Sequence, residues 1–164
     1  MKKILLALFL MFFGISFAGS LDDKISQMII IGFDGDNVKS RDFKYLLKNI
    51  NLVSGVILFT KNIDNIKELN NMVQAIKEKS NISPFIAIDN EGGKILRFEG
   101  DVKSAREVSK MPITEARKEY TKLAQINHEA GINLNFAPVV DLEINKNSII
   151  AKKERSFGDD YRIV

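Results

Sequence analysis

The sequence predicts an α/β fold made of about four strand–helix units with parallel strands. Short apolar runs alternate along the chain with segments in which apolar residues recur at helical spacing. The connections between these segments are short, which implies parallel pairing through right-handed crossovers. Two architectures share this pattern, an open doubly wound sheet and a closed (β/α)8 barrel. The polar residues of the fourth strand favour the barrel, of which the chain supplies about the first four units.

Four apolar runs are predicted to be strands. A short run of this kind, closed by a turn residue such as Gly32, is typical of a strand buried in a parallel sheet. The predicted strands are Met28–Ile31, Gly55–Phe59, Phe85–Ile88 and Ile132–Ala137.

Three helices are predicted between these strands. Ser40 is the expected N-cap of the first, and Asn65 to Glu68 has the pattern of a capping box at the start of the second. The third is expected to begin near Thr114 and to end at Gly131, because glycine commonly ends helices. Their predicted apolar stripes are Phe43, Leu46, Leu47 and Ile50; Leu69, Met72, Val73 and Ile76; and Ala116, Tyr120, Leu123 and Ala124.

The fourth strand distinguishes the two architectures. Asn133 and Asn135 fall on one face of this strand, and its larger apolar side chains fall on the other. A sheet between two helical layers has apolar residues on both faces, whereas a barrel interior near a polar mouth accepts asparagine. The sequence therefore favours the barrel.

The N-terminal residues have the pattern of a secretory signal peptide. Lys2 and Lys3 precede an apolar run from Ile4 to Phe13, and small residues follow, Ala18 among them. The run is shorter than the ~20 residues that a membrane span requires. We expect cleavage after Ala18, a mature domain of residues 19–164 that is periplasmic or secreted, and no membrane association afterwards. A retained N-terminal anchor helix is the alternative.

Charge and composition exclude several classes of function. Without Lys2 and Lys3 the formal net charge falls from +3 to +1, and no basic stripe with interleaved aromatic residues remains. We therefore expect no nucleic-acid partner. The absence of cysteine excludes disulfides and lipid attachment at a cysteine. Acidic residues are scattered without the spacing of metal ligands, so we expect neither a metal nor another cofactor.

The most informative candidate site residue is Asp89, which directly follows the third apolar run. A carboxylate at the rim of a buried strand is costly unless it is paired or exposed at a site. Gly92 and Gly93 allow the backbone to turn sharply there and to approach a ligand. Asp89 is suited to accept hydrogen bonds from two adjacent sugar hydroxyls. An Asp89–Arg97 ion pair that only shapes the loop is an equally good reading of these residues.

Four stretches resemble glycoside hydrolase family 3 in order and spacing. Asp89 to Phe98 is similar to the family signature Asp-Gln-Glu-Gly-Gly-Arg-Val-x-Arg. The other three resemble its Gly-Val-Ile-Leu-Phe, Gly-Ile-Asp-x-Asn-Phe-Ala-Pro-Val-Leu-Asp and Arg-Ser-Phe-Gly-Asp-Asp segments, and they are Gly55–Phe59 with Asn62, Gly131–Asp141 and Glu154–Asp160. Within the family, the pattern looks closest to bacterial β-N-acetylhexosaminidases.

The resemblance implies a retaining glycosidase on a (β/α)8 barrel, with a saccharide as the binding partner. By the same resemblance, Asp89 holds sugar hydroxyls, Arg97 and Arg155 reach the same sugar, and Asp141 orients these groups. The chain departs from the family pattern at Asn90, which stands where glutamine is usual. It also departs at Lys94, in place of arginine, and in the stretch from Ile149 to Lys153.

The catalytic groups that the resemblance implies are not found in the sequence. The family's nucleophilic aspartate follows a later strand, and the acid–base Asp-His pair lies beyond a Lys-His-Phe-Pro-Gly-His-Gly motif that does not occur here. His128, the only histidine, is predicted to be structural or exposed on its helix. Glu91 is predicted either to organise the backbone of the glycine turn or to support the sugar-binding residues without touching the sugar. We therefore assign no catalytic residue.

Four predicted strands are half of the eight that a closed barrel needs. Three explanations fit this number of strands. The chain is a truncated product, or one part of a protein that a complementary C-terminal half completes, or an incomplete sequence. We favour the first. We expect the chain alone to hydrolyse no glycoside. The competing hypothesis is a non-catalytic exported saccharide-binding protein.

Overall fold

The computed structural model describes residues 20–98 and 100–164. The predicted signal segment and its cleavage site after Ala18 lie outside the described residues. None of the helices in the described ranges combines the length and apolar character that crossing a membrane requires. The helices are α1 (Leu21–Ser26), α2 (Arg41–Asn49), α3 (Ile66–Lys79), α4 (Ala105–Val108), α5 (Ile113–Glu129) and α6 (Ile149–Lys152). The strands are β1 (Ile30–Ile31), β2 (Gly55–Leu58), β3 (Phe85–Ile88) and β4 (Leu134–Asn135).

The four strands form one parallel sheet in the order β1-β2-β3-β4. Val56 pairs with Ile86 in the centre, and Ile30 pairs with Gly55 and Ala87 with Leu134 at the two sides. A doubly wound sheet reverses its strand order at a switch point, whereas strands in a barrel follow the order of the chain. The sequential order confirms the predicted α/β class and corresponds to four consecutive units of a (β/α)8 barrel.

The core lies between one face of the sheet and the helices. Alternate residues of the two central strands enter it, because side chains along a strand point to opposite faces. Ile57 and Phe85 lie on the other face, and Phe85 is 47% exposed. The helices therefore cover one face, as in a barrel wall. The buried strand and helix side chains are Val56, Leu58, Ile86 and Ile88; Phe43 and Leu46; and Leu69, Met72, Val73 and Ile76.

Side-chain caps begin helices α2 and α3 as the sequence predicts. The Ser40 hydroxyl accepts a hydrogen bond from the backbone N–H of Phe43 at 3.3 Å. The Asn65 side chain accepts one from the backbone N–H of Glu68 at 2.9 Å. The Glu68 carboxylate accepts from Asn71 instead of returning to Asn65, so the expected reciprocal half of the capping box is replaced. These caps satisfy N–H groups that have no partner within a helix.

The first and last predicted strands are shorter than expected. Met28 and Ile29 are not paired in β1, because their N–H groups donate to Ile25 and Ser26 and extend the turn that ends α1. Met28 is 82% exposed, so its prediction as a buried strand residue was wrong. In β4, ladder pairing is confined to Leu134 and Asn135, with one backbone bond on either side.

The predicted stripe of helix α5 is only partly correct. Leu123 is buried, but the exposed or half-exposed Ala116, Tyr120 and Ala124 line a surface cavity. The buried face carries Asn127, four positions after Leu123. Ala116, Tyr120 and Ala124 recur at helical spacing on the face that lines the cavity, so apolar periodicity selects the wrong face.

Asn133, just before β4, and Asn135, within it, form side-chain hydrogen bonds with the backbone at the two ends of β3. Asn133 accepts from the backbone N–H of Ile86 at 2.8 Å and donates to the carbonyl of Pro84. Asn135 accepts from the N–H of Asn90 and donates to its carbonyl, both at 2.9 Å. Their side-chain amides extend the hydrogen bonding between β3 and β4. This role replaces the expected one of lining the polar mouth of a barrel.

Candidate functional site

The loops that follow the four strands lie at one edge of the sheet. In a parallel sheet the carboxyl ends of the strands meet there, which is where active sites of barrel enzymes form. Thr60 follows β2, Asp89 follows β3, and Arg155 lies in the segment after β4. The three residues predicted to bind a sugar, Asp89, Arg97 and Arg155, all belong to this edge.

Asp89 and Arg97 form a two-point ion pair. The Arg97 Nε and Nη2 atoms donate to the two Asp89 carboxylate oxygens at 2.8 and 2.6 Å. The Asp89 side chain remains 27% exposed and the Arg97 side chain 21% exposed. Arg97 Nη1 also reaches the Thr60 hydroxyl at 3.4 Å, which links the loops after β2 and β3. A carboxylate has about four lone-pair positions, so the pair leaves acceptor capacity on Asp89.

The glycines of the Asp89 loop make the expected sharp turn. Gly92 and Gly93 have φ angles of +87° and +55°, values that L-residues with side chains rarely adopt. A Cβ atom at either would approach within 2.5 Å of the chain, at the carbonyl of Lys103 or the Cβ of Ser104. The close approach that requires glycine is therefore to the chain's own segment 102–104, and no ligand need be invoked.

Glu91 and Arg155 form a second two-point ion pair. The Arg155 Nε and Nη2 atoms donate to the Glu91 carboxylate at 2.8 and 2.7 Å, and the Glu91 side chain is only 7% exposed. These hydrogen bonds raise the pKa of the Arg155 guanidinium above its ordinary value, and the nearby charges of Asp141 and Asp89 raise it further. Glu91 therefore fixes Arg155 beside Asp89 and supports the candidate site indirectly, which is the second of its two expected roles.

The segment that carries Arg155 is anchored by buried polar contacts. The fully buried Ser156 hydroxyl donates to the carbonyl of Asp141 at 2.6 Å. Arg106 of α4 pairs with the buried Glu143 and donates to the carbonyl of Ala151 at 3.0 Å. The Arg106 hydrogen bond, aided by Lys146, holds the pKa of the Glu143 carboxyl below its usual range. These contacts restrict the position of Arg155.

Three buried asparagines, Asn62, Asn90 and Asn127, organise the site. Of these, only Asn62 was identified from the sequence as a residue that matches the family pattern. Asn62 joins the loops after β1 and β2, because it donates to the carbonyls of Phe33 and Gly35 at 3.1 and 2.8 Å. Asn90, fully buried, donates to Asn127 of α5 at 2.8 Å. Asn127 was missed. A polar residue one turn after the buried Leu123 was the available signal.

His128 is exposed on helix α5, as predicted. It lines a surface cavity of about 720 Å³ together with Tyr120 and Phe157, whose ring centroids are 6.3 Å apart. Burial, together with the negative charge of Glu91, raises the pKa of Tyr120 to about 12, so the phenol is neutral at physiological pH.

A concave surface adjoins Arg97. Thr60, Arg97 and Phe98 line a cavity of about 710 Å³ that continues between the start of α3 and the second half of α5. Asp89 is outside this set of lining residues. Within the described ranges, no group of three or more histidine, cysteine or acidic side chains is arranged to hold a metal ion. The edge thus offers carboxylate acceptors and guanidinium donors, which are groups suited to hydroxyls and amides.

The family model of the glycosyl hydrolase family 3 N terminal domain matches residues 20–164. This chain belongs to glycoside hydrolase family 3. Its relatives in this family include the β-hexosaminidase A of Pseudoalteromonas piscicida, which is 30% identical over 125 residues, or 68% of this chain and 21% of the relative. A β-hexosaminidase of Bordetella pertussis is 32% identical over 137 residues, which cover 76% of this chain and 38% of the relative.

A solved structure of the same family has the same fold. The glycoside hydrolase family 3 β-N-acetylglucosaminidase from Paenibacillus sp. matches with a TM-score of 0.74 at 25% identity, over 89% of this chain and 29% of that one. The chain thus spans between about a fifth and two fifths of the length of these three relatives. The predicted family and the partial barrel are both confirmed.

Proposed function

We propose that this chain forms the part of a family 3 β-N-acetylhexosaminidase barrel that binds the sugar to be released. Asp89, Arg97 and Arg155 are the proposed binding residues. The observation that carries the proposal is their convergence at the carboxyl edge of the sheet, where two arginine–carboxylate pairs lie side by side. The relatives named β-hexosaminidase and β-N-acetylglucosaminidase support N-acetylglucosamine as the sugar.

The chemistry of the two pairs suits a saccharide. Each arginine is oriented by its carboxylate, so little side-chain freedom is lost when a sugar oxygen accepts a hydrogen bond from it. The exposed part of Asp89 supplies acceptors for adjacent hydroxyls. Each charge-assisted hydrogen bond of this kind contributes about 1.5–3 kcal/mol.

We further propose that the chain alone does not hydrolyse glycosides. The retaining mechanism proposed for the whole enzyme needs a nucleophilic carboxylate and a separate acid–base group. In the part of the chain that the structure describes, Asp34, Asp89 and Glu91 at this edge are each paired with a lysine or arginine, whereas Asp36, Asp64 and Asp141 are not. The Lys-His-Phe-Pro-Gly-His-Gly motif that accompanies the acid–base pair in the family does not occur in the sequence, so neither role is assigned to any of these carboxylates. Turnover of a chromogenic N-acetylglucosaminide by the purified chain would contradict this.

A non-catalytic saccharide-binding protein is the second candidate, and the absence of the acid–base motif from the sequence favours it. The two candidates differ in what a complementary half of the barrel does. If the chain belongs to a hydrolase, mixing it with the later strand–helix units of the Bordetella pertussis relative yields turnover that Asp89→Asn removes. If it is a binding protein, the mixture stays inactive while the chain still binds the sugar.

Export remains a proposal from the sequence. The mature protein would begin after Ala18, so the intact mass of the chain recovered from the periplasm or the medium tests it. A mass that includes the first 18 residues would instead indicate a retained anchor.

Calorimetric titration of the chain with N-acetylglucosamine tests the main proposal. We expect saturable binding that is lost in Asp89→Asn, because the neutral amide removes an acceptor and releases Arg97. Asp22→Asn is the matched control, because Asp22 is exposed on α1, at the opposite end of the sheet. Binding that survives in Asp89→Asn, or is absent from the unmodified chain, would overturn the proposal.

A further inference from the structure

A chain of buried amides connects helix α5 to the Asp89 loop. Asn90 is fully buried and Asn127 is 6% exposed. The Asn90 Nδ2 atom donates to Asn127 Oδ1 at 2.8 Å, and Asn90 Oδ1 accepts from the backbone N–H of Arg97 at 3.0 Å. A buried polar group without a partner is costly, so these contacts are strongly constrained.

The direction of each hydrogen bond between Arg97, Asn90 and Asn127 is fixed. The backbone N–H of Arg97 can only donate, so the Asn90 carbonyl oxygen must face it. The Asn90 amide nitrogen then faces Asn127, whose side-chain oxygen must accept. Asn135 holds the Asn90 backbone on the opposite side through two hydrogen bonds of 2.9 Å. Asn90 is therefore fixed at both its backbone and its side chain.

We propose that Asn127 is a positioning residue of the saccharide site, which orients Asn90 and, through it, the Asp89–Arg97 pair. This inference rests on the proposed function. Asn90 is adjacent in sequence to Asp89 and bonded to the backbone of Arg97, so it sets the separation of the two groups that form the pair. Asn127 touches neither of them and acts through Asn90.

The sequence difference at position 90 supports a specific fit. The family signature that this loop resembles has glutamine there, with a side chain longer by one methylene. The shorter Asn90 reaches both the Arg97 N–H and Asn127, which projects from the buried face of α5. The pair of asparagines therefore acts as a unit in this chain.

Substitutions that keep or remove the acceptor at position 127 have opposite expected outcomes. Asn127→Ala removes the acceptor, and we expect N-acetylglucosamine binding to weaken about tenfold. Asn127→Asp keeps an acceptor facing Asn90, so binding recovers to near the original affinity. Asn90→Leu, a substitution of similar volume, removes both the donor to Asn127 and the acceptor for the Arg97 N–H, and it weakens binding like Asn127→Ala. If Asn127→Ala does not fold, Asn127→Asp and Asn90→Leu, which preserve side-chain volume, carry the comparison.

A control on the same helix separates positioning from stability. Leu123→Ala removes a buried apolar side chain one turn from Asn127. We expect it to lower the melting temperature while the hydrogen bonds of Asn90 and Asn127 remain. We expect its sugar affinity to remain unchanged. Equal losses of affinity in Leu123→Ala and Asn127→Ala, or equal affinities in Asn127→Asp and Asn90→Leu, would overturn the inference.

An NMR measurement tests the inference without any sugar. The Nε–H groups of Arg97 and Arg155 each donate to a carboxylate, so their exchange with water is slow compared with that of free arginines. We expect Asn127→Ala to accelerate exchange at Arg97 and to leave Arg155 unchanged. This result would hold even if calorimetry showed no sugar binding, in which case only the proposed function fails. Unchanged exchange at Arg97 would overturn the positioning role.

Discussion

Glu91 accepts both hydrogen bonds of the Arg155 guanidinium, at 2.8 and 2.7 Å, and so joins two loops that are 64 positions apart in the chain. One loop follows β3 and carries Asp89, and the other follows β4. Because the Glu91 side chain is 7% exposed, water competes little with Arg155 for hydrogen bonds to the Glu91 carboxylate. The geometry of the candidate site therefore depends on one buried carboxylate that is not itself a proposed sugar ligand.

Neutralising Glu91 is expected to destabilise the fold. Glu91→Gln keeps the size of the side chain but cannot accept both arginine hydrogen bonds, which leaves the partly buried Arg155 with an unmatched charge. We expect a loss of about 1–3 kcal/mol in the free energy of unfolding, measured by urea denaturation.

Asp160→Asn is the matched control for Glu91→Gln. Asp160 also forms a two-point pair with an arginine, Arg162, but that arginine side chain is 73% exposed. An exposed pair contributes about 0–1 kcal/mol. Equal losses in the two variants would mean that burial does not strengthen the Glu91–Arg155 pair.

The Glu143 carboxyl makes stability depend on pH. Arg106 and Lys146 lower its folded-state pKa below the ordinary value of 4.5. The stabilisation is thus fully present above that value and is lost as the pH falls through the lower folded-state pKa. We expect the melting temperature to fall less steeply with acidification, from about pH 5 to pH 3, in Glu143→Gln than in the unmodified chain. Parallel pH profiles would contradict the assignment.

Gly55 permits the close pairing of β2 and β3. A Cβ atom there would meet the carbonyl oxygen of Phe85 and lie 2.7 Å from the Phe85 nitrogen, and the backbone of a central strand cannot easily move. We expect Gly55→Ala to cost about 1–3 kcal/mol in urea denaturation.

Gly32→Ala is the control for Gly55→Ala. The nearest atom to a Cβ at position 32 is the end of the Phe59 ring at 3.2 Å, and a side chain can rotate away. Its effect should therefore be clearly smaller. If Gly32→Ala costs as much as Gly55→Ala, the contact with Phe85 is not what selects glycine in β2.

His128 is expected to be dispensable. It lies exposed on α5 and is outside the edge formed by the strand ends. We expect His128→Gln to change the free energy of unfolding by no more than about 0.5 kcal/mol and to leave sugar binding intact. Loss of binding in this variant would reopen a functional role for the only histidine.

Features determined by neighbouring residues were predictable from the sequence. The caps at Ser40 and Asn65 follow from residues three positions away, and the central strands follow from uninterrupted apolar runs. The carboxylate of Asp89 was identified as a site candidate because it ends such a run. The structure also shows its ion pair with Arg97, which the sequence left as one of two readings.

Features determined by residues far apart in the chain were not predictable from the sequence. Asn127 and Asn90 are 37 positions apart, and a search for apolar periodicity does not record a polar residue on a buried face. The same limit explains the error at Ala116, Tyr120 and Ala124, since helical spacing alone does not say which face meets the sheet. The pairing of Glu91 with Arg155 likewise depends on how two loops fold together.

The most direct test of the saccharide site is to map the chain's backbone amide NMR shifts during titration with N-acetylglucosamine. We expect saturable changes concentrated at Asp89 to Arg97 and around Arg155, with residues of α1 unaffected. Changes centred elsewhere, or no saturable change at a sugar concentration that saturates a family 3 relative, would contradict it.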